Sequence, residues 1–432
     1  MLKWSSGIKV CNKTDYASEI ILVIVCMVSF IRILTYRVLY ADGGWYTMNI
    51  VRFHRMFFVT NRTFLQWVQQ ILASNSITFA SLHNTHYFVV LLGIGYFGLP
   101  IVLLFSTYLL LKSDRIMQFS HVVAMSFAIL FFGGMVGESC LTACFVIFFS
   151  ALLTQRITTL RFVILLTVAI ILIASYESMV FYGLILLYLL NFKVKNYASQ
   201  LGQNLFRVVL SFLLISAILF QVYWILFPSN PANRSGAFDI RSLLAFQSTK
   251  IYLFTLAIGL VLGLLIHKNV AWVIAIPLAC GLIALDLPFF QVSPKFQYSF
   301  RLFGSLMVLL LLLLSRDTFS FGKILNFDST RKIVITVALL VAVLDVSASL
   351  GFERYIGKIQ QLTSHPGTQP FDAIGASTNE NVRFSWAWSM PSLSYVLAQT
   401  KDASLVSNQF PVSWQPFSPQ KSPEHTDVFW VN

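Results

Sequence analysis

Few side chains in this sequence are suited to acid–base or phosphate chemistry, and their types and spacing are the first clue it offers. Asp42 stands in Tyr40-Ala41-Asp42-Gly43-Gly44-Trp45-Tyr46-Thr47, directly after a long apolar run. A carboxylate there suits a general base that takes a proton from a hydroxyl. The rings of Trp45 and Tyr46 suit stacking on a sugar or a lipid headgroup. The same stretch also reads as a turn with an aromatic belt at a membrane exit, and these residues alone leave both readings open. Glu138 and Glu177 lie in two segments that echo each other, Gly137-Glu138-Ser139-Cys140 and Tyr176-Glu177-Ser178-Met179, each beside an apolar run. They are candidate second carboxylates, although a turn at a water interface also tolerates an acid.

The cationic candidates fall in two places. Gln297-Tyr298-Ser299-Phe300-Arg301 follows Ser293-Pro294-Lys295, and Arg52, His54 and Arg55 follow Asp42. An arginine offers a planar fork of donors that fits phosphate oxygens, and Lys295 adds a second cation. The alternative for Arg301 is an ordinary charge flanking a helix end. Four more ionisable residues, Arg32, Arg37, Asp286 and Asp345, sit inside or at the edge of apolar runs, where charge is costly and usually functional or paired. Arg37 reads best as a snorkelling side chain and Asp345 as a partner for a neighbouring helix.

The elements that must position these groups are membrane helices. The 432 residues are 57% hydrophobic and 11% charged, against about a quarter charged in soluble domains, so the expected class is an all-α polytopic membrane protein. With a ruler of roughly 20 apolar residues per span, about eleven spans are expected, near 18–40, 86–111, 117–136, 139–155, 161–176, 178–192, 205–227, 250–267, 270–289, 299–315 and 332–351. The net charge of +13 is spread thinly at the ends of these runs, which fits membrane topology and no nucleic-acid partner. Lys112, Arg115, Arg156, Arg161 and Lys193 fall between alternate spans, and the opposite turns near 137 and 177 hold no Lys or Arg. With the first group cytoplasmic, the loop 41–85 and the tail 352–432 lie outside. A transmembrane part, 1–351, and a small extracytoplasmic C-terminal segment, 352–432, are the expected divisions.

Within the first outer loop, Asn49, Arg52 and Arg55 recur at three-residue steps. Phe64, Trp67, Val68, Ile71 and Leu72 then line one helical face opposite Gln66, Gln69 and Gln70. Two amphipathic helices on the outer membrane surface are expected, the second capped by Asn61 or Thr63. In the tail, 383–391 alternates aromatic and small residues as a strand does. The five cysteines form no CxxC pair and read as core residues. No Gly-rich or Walker-type nucleotide motif appears, so outer-face group transfer would draw on a membrane-borne activated donor. Asn61-Arg62-Thr63 is noted only as one of three short glycosylation triplets.

A first span, an outer loop opening on Tyr40-Ala41-Asp42-Gly43-Gly44-Trp45-Tyr46, and then Arg52-Phe53-His54-Arg55 on interfacial helices resemble the GT-C superfamily of membrane glycosyltransferases. That resemblance implies a polyprenyl-phosphate-linked sugar donor, a glycan or lipid acceptor at the membrane, and no metal ion or other cofactor. It implies Asp42 as the general base, with Glu138 or Glu177 as a further carboxylate in the cavity. Arg301 and Lys295, with Arg52 and Arg55, would bind the donor phosphate. Trp45, Tyr46, His54 and Tyr298 would line the sugar or acceptor site. The expected location is a bacterial inner membrane with the site facing outward. An O-antigen-type polysaccharide polymerase or ligase, or a flippase or transporter of lipid-linked sugars, are the alternatives.

Overall fold

Inside a bilayer every backbone N–H and C=O must be satisfied within the segment, so apolar runs of this length become helices. The computed structural model describes residues 16–40, 42–53, 56–77, 85–132, 138–193, 200–227, 328–363, 396 and 428–431. They are mostly helical, and four helices are long and apolar enough to cross a membrane: Ala17–Leu34, Tyr87–Leu110, Asn204–Leu226 and Val334–Gly357. Shorter apolar helices pack among them. The expected spans at 250–267, 270–289 and 299–315, and the expected strand at 383–391, lie outside the described residues.

Helix α1 (Ala17–Leu34) shows why the bundle is membrane-borne. Ile20, Val23, Met27, Phe30 and Leu34 form an exposed stripe, while Ile21, Ile24, Val25, Val28 and Arg32 are buried. Apolar side chains thus face outward and an arginine faces inward, the reverse of a soluble helix. Two helices, α4 (Thr85–Gly93) and α5 (Leu99–Leu110), are joined through a π-helical stretch, Ile94–Gly98. After α6 (Arg115–Phe132) comes α7 (Glu138–Thr154), buried on nearly every side as the central helix of the described bundle. Around it run α8 (Thr159–Ile173), α9 (Met179–Tyr188, extended by a π turn to Lys193), α10 (Gln200–Leu226) and α11 (Asp328–Thr363). Helix α11 passes through position 351 without a break.

Side-chain contacts define two ends. At one, Glu19 accepts from Tyr108 Oη at 2.7 Å and from Arg115 at 3.2 Å, tying α1, α5 and α6. At the other, Arg32 meets Asp345 of α11 and the last carbonyls of α6. The second end carries the elaborate connection, and it is called the loop end below.

The connection differs from expectation in instructive ways. The first span stops at Leu34. The chain turns through Tyr36, whose φ of 55° is left-handed, into a single 3-10 turn, Arg37–Leu39. Arg37 does not snorkel: it is buried, with its guanidinium 4.1 Å from the Tyr40 ring and 5.6 Å from that of Phe352 on α11. Asp42 opens helix α2 (Asp42–Phe53), so Asp-Gly-Gly-Trp-Tyr is the first turn of a helix and not an irregular turn; an acidic residue is favoured where the helix dipole is positive. Strand β1 (Met56–Val59) and a 3-10 turn, Thr60–Arg62, then lead into α3 (Thr63–Ile77). Strand β1 pairs antiparallel with β2 (Val428–Val431).

Helix α3 has the expected two faces. Phe64, Trp67, Ile71 and Leu72 are exposed, and Gln66, Gln69 and Gln70 are fully buried against protein. Just before and at the start of α3, the Asn61 amide donates to Glu177, and Thr63 Oγ1 donates to the Val59 carbonyl. Gly95, in the π-helical stretch, explains how closely α3 lies on the bundle. A Cβ there would sit 1.8 Å from the Gln69 carbonyl oxygen.

Candidate functional site

At the loop end, the chain brings two carboxylates to one guanidinium. Arg62 closes the short 3-10 turn after β1, a position set by the strand on one side and α3 on the other. Its Nη2 lies 2.9 Å from Glu177 Oε1, and its Nη1 lies 3.7 Å from Glu138 Oε2. Nη1 also donates to the Tyr46 hydroxyl at 3.3 Å, and the guanidinium stands 4.7 Å from the Tyr176 ring centre. Burial opposes the charge on Arg62, but Glu177, Tyr46 and Glu138 more than offset that and hold its pKa well above the ordinary arginine value.

Neighbouring amides complete the arrangement. Asn61 Nδ2 donates to Glu177 Oε1 at 3.0 Å, and Gln66 Nε2 donates to Glu138 Oε1 at 2.7 Å. Gln221 of α10 donates to the carbonyls of Asn61 at 2.9 Å and Ile173 at 3.2 Å. The Leu65 N–H reaches the Ala174 carbonyl at 3.3 Å. The ends of α8 and α10 are thereby tied to the start of α3.

The two acids differ in what they can do. Glu138 opens α7 with its side chain 2% exposed, so it serves the interior. Glu177 lies in the turn before α9 and is 32% exposed, which leaves it within reach of a molecule at the loop end. The Glu-Ser echo seen in the sequence is the repeated use of a helix start to bring a carboxylate to Arg62.

The other expected site residues distribute as follows. Asp42, Trp45, Tyr46 and Arg52 all belong to α2, and Tyr46, one helical turn beyond Asp42, joins the Arg62 cluster. His54, Arg55, Lys295, Tyr298 and Arg301 lie outside the described residues, as does Asp286. Arg62, Asn61, Gln66, Tyr176 and Gln221 are not among the site residues expected from the sequence. The signal for Gln66 was present: in a chain this poor in charge, a glutamine face opposite Phe, Trp, Ile and Leu points inward, not to water.

A second ionic group lies inside the bundle. Arg32, fully buried, donates through Nε to Asp345 Oδ1 at 3.0 Å and through Nη2 to Asp345 Oδ2. Its Nη1 and Nη2 also donate to the carbonyls of Ile129 at 2.8 Å and Leu130 at 3.0 Å. The expected pairing of Asp345 with a helix neighbour is met, and the partner is α1. Every donor-bearing nitrogen of this guanidinium is engaged, so the group acts as a structural tie. No family model, curated protein or solved structure matches the chain.

Proposed function

We propose that the protein is a membrane glycosyltransferase of the GT-C type, moving a sugar from a polyprenyl-phosphate carrier to a glycan or lipid acceptor. One observation supports this reading above the others: α2, which opens on Asp42, is tied through Tyr46 to Arg62, and Arg62 holds Glu138 and Glu177 at the same end of the bundle. Asp42 accepts the proton of an acceptor hydroxyl whose oxygen attacks the anomeric carbon; the bond from that carbon to the phosphate oxygen breaks, and the carrier phosphate leaves with the electron pair. Glu177, the more open acid, reads acceptor or sugar hydroxyls, and Glu138 stays with Arg62 and Gln66. Arg301 and Lys295 receive the phosphate. About eleven spans complete the fold. The loop end faces the extracytoplasmic side, because Lys112, Arg115, Arg156 and Arg161 belong to connections at the other end.

The test uses the full chain in nanodiscs with a polyprenyl-phosphate hexose labelled in the sugar, and follows loss of label from the carrier. Asp42→Asn should slow release by at least about 100-fold, with protein level unchanged. Glu177→Gln should slow it by about tenfold, near the effect of removing one hydrogen bond to a charged group. Near-normal release with Asp42→Asn removes Asp42 from the base role. Failure of the unmodified protein to turn over any lipid-phosphate sugar sinks the reading.

A further inference from the structure

Strand β1 satisfies its backbone in two different ways. Phe57 donates its N–H to Gln70 Oε1 at 3.0 Å, and its C=O accepts from Gln70 Nε2 at 2.6 Å. Val59 donates its N–H to Gln66 Oε1 at 2.6 Å. In an antiparallel strand the N–H and C=O of one residue point to the same edge, and successive residues alternate edges. Phe57 and Val59 therefore direct their groups to α3, where Gln66 and Gln70, one helical turn apart, stand in for a neighbouring strand. Met56 and Phe58 point to the other edge. There β2 lies in register, with Val431 opposite Met56 and Phe429 opposite Phe58.

We propose that the Met56/Phe58 edge is a strand-docking edge, filled by Val428–Val431, and that docking there fixes Arg62 between Glu138 and Glu177. The strand runs directly into the Thr60–Arg62 turn, so any rotation or slip of β1 moves Arg62. Gln66 adds a second link, because one side-chain amide accepts from Val59 and donates to Glu138. Held by the glutamines alone, β1 has one free edge and can slip about them; held on both edges it cannot. The docking ligand is a short extended segment in antiparallel register, recognised through its main chain. Nothing in this depends on sugar transfer, and the experiment reads structure instead of turnover.

The full chain is used in nanodiscs, with the native cysteines replaced by alanine for the cross-linking arm. Val59→Cys with Val428→Cys occupies directly opposed positions and should oxidise to a disulfide, detected as a linked peptide by mass spectrometry. Val59→Cys with Phe429→Cys shifts one residue to the other face and should link at least about tenfold less. In the second arm, Phe429→Pro removes an N–H that faces β1, whereas the N–H lost in Trp430→Pro faces away. Hydrogen exchange over 56–66 should quicken by about tenfold with Phe429→Pro and stay within about twofold with Trp430→Pro. Equal linking by both cysteine pairs, or equal effects of the two prolines, overturns the proposal.

Discussion

Replacing Arg32 by leucine tests whether the intramembrane tie works as its geometry implies. The substitution strands the Asp345 carboxylate, which is 7% exposed and keeps only a long contact from Ser349 Oγ at 3.4 Å. An uncompensated buried charge of this kind costs about 3–5 kcal/mol. The Ile129 and Leu130 carbonyls lose their donors as well, at about 1–3 kcal/mol for each one left unpaired. Arg32→Leu should therefore remove a large part of a net stability of about 5–15 kcal/mol. The double variant Arg32→Leu/Asp345→Leu removes the stranded carboxylate and leaves only the carbonyl term, so it should regain about 3 kcal/mol over the single variant. Cys140 and Cys144 are buried free thiols in the central helix and report unfolding through reaction with a thiol-activated dye during heating. The expected order of midpoints is parent, double variant, then Arg32→Leu, with the single variant lower by on the order of 10 °C. A double variant no more stable than Arg32→Leu would refute the reasoning, because the cost would then lie in the carbonyls alone.

Two further outcomes can be read with the same assay. Gly95→Ala brings a methyl group against the Gln69 carbonyl, a backbone atom that cannot swing aside, and should lower the midpoint by more than Gly357→Ala, where a Cβ meets nothing within 4 Å. Arg62→Ala should lower the midpoint at neutral pH. The raised pKa of Arg62 keeps it charged in the folded state throughout the acid and neutral range, so the part of its stabilising effect that depends on charge is lost only as pH rises into the strongly alkaline range. The gap between parent and variant should accordingly narrow only towards strongly alkaline pH, and a parent no more stable than the variant at neutral pH would refute the role of Arg62 as the tie between the two acids.

The described spans were legible in the sequence because a bilayer leaves an apolar run of that length little choice but a helix. The bounds near 86–111 and 139–155 lie within a residue or so of the observed helices. The tie between Arg32 and Asp345 was half legible: both lie inside expected spans that run in the same direction, but pattern alone does not say that α1 and α11 touch. The loop was misjudged where water was assumed as the reference. Gln66, Gln69 and Gln70 look solvent-facing beside Phe64 and Trp67, yet with lipid as the surroundings the polar face turns inward, and there it binds Glu138 and the backbone of β1. Arg62 carried no local signal, since its role depends on Glu138 of α7 and Glu177 of the turn before α9, both far along the chain.

The Arg32 group also has a consequence in time. The helix carrying Arg32 emerges first, and its carboxylate partner follows 313 residues later. At a synthesis rate of about 5–20 residues per second, that delay is about 15–60 s. The carbonyls of Ile129 and Leu130 come 97 and 98 residues after Arg32, within about 5–20 s. A nascent chain would thus have its intramembrane cation received first by the end of a neighbouring helix and neutralised only afterwards. Assembly has an intermediate holding point written into it, and a ribosome stalled between α6 and α11 would expose it.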